Sequence, residues 1–199
     1  MNKLLFCIAS LLLAWPAFAS EKVIKCPSPD GKYALRLAKD KNDDSQIDDS
    51  QIEAEIIVVK SGAVVGENLV PPHAGYRDGA ALMWSADSQC VAYRWDENHR
   101  MQGTQVFFRN GSKFKEVKLP KLPDPETGKG HAEMIKMIRQ DWIPLRWLKS
   151  GALVLSVKFA NLYTDGLHTA ELIITISFDE RHRATIQKVE KKKLVIEKN

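Results

Sequence analysis

Residues 84–95, WSADSQCVAYRW, decide the fold, because they echo residues 28–37, SPDGKYALRL. Each segment is a Ser-x-Asp turn followed by a short apolar strand. The first continues through a polar loop, AEIIVVK (54–60), the turn Ser61-Gly62 and AVVGENLV (63–70). The second continues through DENHRMQG (96–103), TQVFFR (104–109), the turn Asn110-Gly111 and SKFKEVKL (112–119). A third copy opens at Trp147 with WLKSGALVLSVKF and runs through ANLYTDGLHT (160–169), AELIITIS (170–177), FDERHR (178–183) and ATIQKVE (184–190). Trp84 and Trp147 hold the same place in copies two and three, where copy one has Cys26-Pro27. The copies recur at roughly sixty residues, a period that marks a repeat architecture.

The pieces are strand chemistry. IIVV, VFF and LIITI are β-branched and aromatic runs bounded by turn residues. Asn-Gly suits a two-residue hairpin, since both residues tolerate positive φ. Asp30-Gly31 and Asp87-Ser88 suit turns in which the carboxylate bonds its own backbone. A further candidate strand precedes each copy: EKVIK (21–25), AALMW (80–84) and IPLRW (143–147). The expectation is an all-β, antiparallel fold of about three four-stranded units. One short helix is expected near residues 131–140, where HAEMIKMIRQDW sets Ala132, Ile135, Met137 and Ile138 in an apolar stripe.

On these segments the chain resembles the TolB-like, WD40-like β-propeller repeat. The match is fullest in SPDGKYALRL. Copy two lacks the Pro and Gly, and copy three has LKSG where the Asp belongs. The resemblance implies propeller-like blades and a role in protein recognition. Closed propellers have four or more blades. Three units therefore leave a small closed ring, an open arc, a dimer that closes the ring and a β-sandwich as alternatives.

Before the repeats, MNKLLFCIASLLLAWPAFAS has one charge at Lys3, an apolar run and AFA at Ala17–Ala19. That pattern is a secretory signal peptide over residues 1–19, cleaved after Ala19, with one domain over residues 20–199. The lipoprotein alternative fails, since Phe6 precedes Cys7 where a small residue is required. No later segment reaches the ~18 apolar residues of a membrane span. A secreted or periplasmic location follows as the expectation.

The chain carries a formal charge of +4, spread along its length. Its densest basic run, KVEKKKLVIEKN, suits a solvated last strand, and without an aromatic-basic pattern nucleic acid is an unsuitable partner. Cys26 and Cys90 are a possible disulfide in an oxidising compartment; the alternative is two small buried hydrophobes. A bridge would close a loop of about 64 residues and contribute about 4 kcal/mol on the chain-entropy account.

In a blade architecture the longer connections share one face. Here those are residues 38–53, 96–103 and 160–169 and the segments between units, and loops on a rigid scaffold concentrate binding residues. Candidate ligand-binding residues are His73, Tyr76, Arg77 and Asp78 in PPHAGYRDG, and Asp96, Glu97, His99 and Arg100 in WDENHR. Arg and Tyr are common anchors in interfaces. Asp40, Asn42 and Asp44 have calcium-loop spacing, but Ser45 and Gln51 stand where Gly and Glu belong, so no metal site is assigned. There is no Gly-x-Ser-x-Gly elbow, His-Glu-x-x-His helix or phosphate-cradling glycine loop.

No catalytic residue and no cofactor are assigned. The leading expectation is an exported interaction module that binds an envelope or secreted protein, or a glycan. The alternatives are an exported hydrolase built from Asp96, Glu97, His99 and His73, and self-assembly through open strand edges.

Overall fold

The computed structural model describes residues 22–39, 52–72, 79–98, 101–121, 123, 134–192 and 195–197. All regular structure among them is strand. Strands β1 (Lys22–Lys25), β2 (Tyr33–Lys39), β3 (Ile52–Val58) and β4 (Val64–Gly66) form a four-stranded antiparallel sheet in chain order. Strands β5 (Ala81–Trp84), β6 (Cys90–Asn98), β7 (Met101–Asn110) and β8 (Lys113–Val117) form a second meander. Strands β9 (Met134–Trp147), β10 (Leu153–Tyr163), β11 (Gly166–Phe178) and β12 (Ala184–Lys191) form a third. A last strand, β13 (Val195–Glu197), pairs with the start of β11.

Units two and three are spliced into one nine-stranded mixed sheet. The splice is a short parallel pairing of Met101 with Gln140 and Gln102 with Asp141, so β7 shares one edge between β8 and β9. Neither sheet closes on itself among the described residues.

The entry turn of each unit follows from its sequence. In unit one Ser28 Oγ donates to Asp30 Oδ1 at 2.7 Å, Lys32 N donates to the same oxygen at 3.1 Å, and Tyr33 N donates to Ser28 Oγ at 3.0 Å. Unit two repeats the set as Ser85 Oγ to Asp87 at 2.6 Å, Gln89 N to Asp87 at 3.1 Å and Cys90 N to Ser85 Oγ at 2.9 Å. The fourth turn residue takes positive φ in every unit, at Gly31, Ser88 and Gly151. Unit three has no Asp, and its turn rests on backbone bonds from Leu148 N to Ala152 O and Gly151 N to Leu148 O. Glycine at 151 offsets that loss, having no Cβ to oppose the left-handed conformation.

The units pack face to face, with unit two in the middle. Val91, Tyr93 and Phe107 of β6 and β7 join Tyr33, Leu35, Leu37, Ala54 and Ile56 of unit one in one core. Their alternate neighbours Cys90, Ala92, Val106 and Phe108 join Leu153, Leu155, Val157, Ile174 and Ile176 of unit three in another. Successive strand residues point to opposite faces, so a strand buried on both sides must be apolar throughout. The outer face of unit one instead carries the Arg36–Glu55 ion pair at 2.6 Å.

The two tryptophans tie each unit to the one before. Trp84 Nε1 donates to the Cys26 carbonyl at 2.9 Å, and Trp147 Nε1 donates to the Met83 carbonyl at 2.8 Å. Trp84 packs with Tyr33 and Phe114, and Trp147 packs with Phe108 and Phe178. The same side chain makes the same bond across both seams.

Two expectations are corrected. Residues 134–140 are the start of strand β9 and form no helix. The arm of β10 from Ala160 to Tyr163 needs a pairing partner, and residues 134–139 supply it, leaving Met134, Ile135 and Met137 exposed. Residues 131–133 lie outside the described residues. The long connections of units two and three are also mostly strand: only residues 99–100 separate β6 from β7, and only Thr164 and Asp165 separate β10 from β11. Polar side chains there made loops the natural expectation, yet the strands stay paired to their tips.

Cys26 and Cys90 are both thiols. Cys26 packs against the core shared by units one and two, whereas Cys90 belongs to the core shared by units two and three. Burial pushes the Cys90 thiol up to about 11.

Replacing Trp84 or Trp147 by Phe should keep the packing, lose the indole donor and cost about 1 kcal/mol each in urea unfolding. An unchanged midpoint would show that the seam bonds contribute nothing net.

The Ser85 hydroxyl, with the Gln89 amide, holds Asp87 below its ordinary range. A depressed folded-state value contributes stability that is present above the unfolded value of about 3.9 and is lost as pH falls through the folded one. Asp87→Asn should therefore be less stable than wild type at neutral pH. The gap should narrow below about pH 4, read from urea midpoints across pH.

Candidate functional site

The hairpin tip of β6 and β7 meets the middle of β9, at Gln140 and Asp141. Trp95 stands opposite Gly103 across the hairpin. A Cβ on Gly103 would lie 2.2 Å from the Trp95 ring, so only glycine lets the indole lie over that strand. Tyr93 stacks on Trp95 from the next position of the same face, with ring centroids 6.1 Å apart. Thr104 Oγ1 donates to the Trp142 carbonyl at 2.7 Å and fixes β9 alongside.

The result is a pocket of about 120 Å³ with Trp95 and Trp142 as aromatic walls and Gln102 and Gln140 as amides, open beside Met101. The buried indole N–H of Trp142 has no hydrogen-bond partner among the described residues. A buried donor left unpaired costs free energy, which makes it a ready contact for an incoming acceptor.

Two buried carboxylates flank the pocket. Asp96, paired with Gln102 across the hairpin, is 8% exposed, and its Oδ1 has no partner among the described residues. It sits so close to Gly79 that a Cβ there would lie 1.7 Å from Oδ2. Arg94 braces the same corner, donating from Nε and Nη2 to the Gly79 carbonyl at 3.0 and 2.9 Å. Burial, reinforced by the Asp96 charge, pushes the Tyr93 phenol well above its ordinary value and keeps it protonated, and its hydroxyl donates to the Val70 carbonyl.

Asp141, the parallel-ladder neighbour of Gln102, is 1% exposed and accepts from Arg139 Nε at 2.5 Å; its Oδ1 has no partner among the described residues. It opens onto a cleft of about 440 Å³ shared with Lys158 and Glu171. Glu171 is held below the usual carboxylate range, first by the Ser156 hydroxyl and then by Lys192.

A third polar group lies at the β10–β11 tip. His168 is buried, its Nε2 is 2.8 Å from Asp165 Oδ1, and its ring packs on Tyr163. His168 Nδ1 and Oδ1 of its cross-strand neighbour Asn161 have no partner among the described residues.

Of the residues expected from sequence to bind a ligand, Asp96 is at this site. Glu97 follows it in β6, and its side chain lies outside the described residues. His73, Tyr76, Arg77, Asp78, His99 and Arg100 also lie outside them, as does the Asp40–Asp44 segment. Among the described residues no group of three or more His, Cys, Asp or Glu is arranged to hold a metal ion. Trp142, Gln102, Gln140 and Gly103 were not singled out. Their signal was a tryptophan before a hairpin tip with a glycine just beyond it.

Gly103→Ala should force the Trp95 ring from its place, cost about 1–3 kcal/mol and shift tryptophan emission. An unchanged spectrum and stability would mean that the indole is not held against β7.

The likeness to the propeller repeat rests on the short turn-and-strand segments: no family model, no curated protein and no solved structure matches this chain.

Proposed function

We propose that the protein is an exported, non-enzymatic interaction module. In this reading its three meanders are an open arc of blade-like units of the TolB-like, WD40-like kind. It engages a protein of the cell envelope, or one secreted with it, through the end where the β6–β7 tip meets β9.

One observation carries the reading: Met134, Ile135 and Met137 on β9 and Met101 on β7 are exposed at the same end as the Trp95–Trp142 pocket. Large exposed apolar side chains on one strand arm mark interaction surfaces, and methionine adapts to a partner's shape. The pocket supports a protein in preference to a whole small ligand. Ligand sites run to ~300–1,000 Å³, whereas about 120 Å³ suits one inserted side chain. A glycan is the second reading, favoured by the paired indoles and carboxamides, which suit a sugar's apolar face and hydroxyls.

The test is affinity capture from envelope and secreted fractions of the producing cells, with the native chain beside a variant carrying Met134→Ser, Ile135→Ser and Met137→Ser. Val189→Ser, at an exposed apolar position on β12, is the control. The expected result is a partner held by the native chain and the control and lost by the triple variant. Capture that survives the triple variant, or no captured protein at all, overturns the proposal.

A further inference from the structure

A second cleft, of about 740 Å³, lies at the opposite end of the same strands. One wall is β8 and the segment leaving it, the other is the turn between β11 and β12, and Phe108 and His182 lie between them. His182 takes positive φ, and its ring stacks on Phe108 with centroids 4.3 Å apart.

The walls are strongly basic. Lys115, Lys118 and Lys121 line one side, and Arg181 and Arg183 line the other. Arg183 is pinned by Asp179, with Nε and Nη2 each 2.6 Å from Oδ2. Asp179 also accepts the backbone amides of Arg181 and Arg183 at 2.9 and 2.8 Å, so the turn is held rigid. Lys115, Lys118, Lys121 and Arg181 make no ion pair among the described residues. The one carboxylate in the lining, Glu116, is bonded to Gln105 Nε2 at 3.0 Å.

We propose that this cleft is a binding site for a phosphate- or sulfate-ester ligand, separate from the partner-binding end. Like charges held together in a concave wall raise the local potential, and a ligand of opposite charge relieves it. The volume falls within the ~300–1,000 Å³ of small-molecule sites, so a compact ligand fits better than a long polymer. Arg181 and the lysines add mobile charges, and Arg183, whose Nε and Nη2 are held by Asp179, adds its Nη1 as a fixed donor. The stacked imidazole of His182 provides a flat floor with a ring N–H to donate.

The experiment titrates tripolyphosphate into the full chain by calorimetry at low and high salt. A parallel arm measures sedimentation with phosphatidylglycerol vesicles against phosphatidylcholine vesicles. A variant carrying Lys115→Ala, Lys118→Ala and Arg181→Ala is compared with one carrying Lys22→Ala, Lys60→Ala and Lys149→Ala. The second loses the same charge from exposed positions outside the cleft.

The expected result is saturable binding that weakens with salt, falls about tenfold or more in the cleft variant and is kept by the matched variant. Binding of tripolyphosphate alone assigns the ester to a free molecule. Binding of the anionic vesicles alone assigns it to a lipid headgroup. No saturable binding in either arm, or equal weakening in both variants, overturns the proposal.

Discussion

Unit two has to be apolar on both of its faces, and the rest of the molecule is arranged around that requirement. Strands β6 and β7 send Val91, Tyr93 and Phe107 one way and Cys90, Ala92, Val106 and Phe108 the other. A single sheet with one wet face would alternate apolar and polar residues. These strands are continuous in hydrophobicity because each step feeds one of two cores. The outer units need only one such face. Unit one accordingly spends its outer positions on Arg36 and Glu55, and unit three on Ser156, Lys158 and Glu171.

The repeating parts were legible in the sequence because they are local. Ser-x-Asp before a strand, Asn-Gly between strands and β-branched runs each reflect chemistry within a few residues. Each of the twelve strands of the three units contains a segment that those signals marked, though β6, β7, β9, β10 and β11 run well beyond it. Beyond the ends of the sheet, polar side chains made 96–103 and 160–169 resemble loops, because local composition does not reveal that a tip will find a ladder partner. Residues 134–140 were misread as a helix for the same reason. Their strand state depends on the distant arm Ala160–Tyr163. The parallel splice of β7 to β9 is likewise a long-range pairing without a local code.

The candidate site shows the same division. Asp96 stood out as a carboxylate in a charged loop cluster, and the structure places it on strand β6, buried near the tip. The pocket beside it depends on Trp142 and Gln140 approaching from another unit, and on Gly103 yielding to the Trp95 ring. Spatial convergence of that kind leaves only faint marks in a single chain. Basic residues spread evenly along the sequence are similarly uninformative until Lys115–Lys121 and Arg181–Arg183 face each other across a cleft.

The indole bonds of Trp84 and Trp147 have one more implication. Each reaches only the unit immediately before it, to an equivalent carbonyl. Coupling is thus between nearest neighbours, as in a one-dimensional array, and no ring-closing strand has to be satisfied. An array of this kind can gain a two-faced inner unit with every existing seam kept chemically intact, whereas loss of an outer unit would expose one apolar face of unit two. A closed ring, by contrast, must change its curvature with every blade gained or lost. The architecture therefore lends itself to lineages that differ in length by whole units.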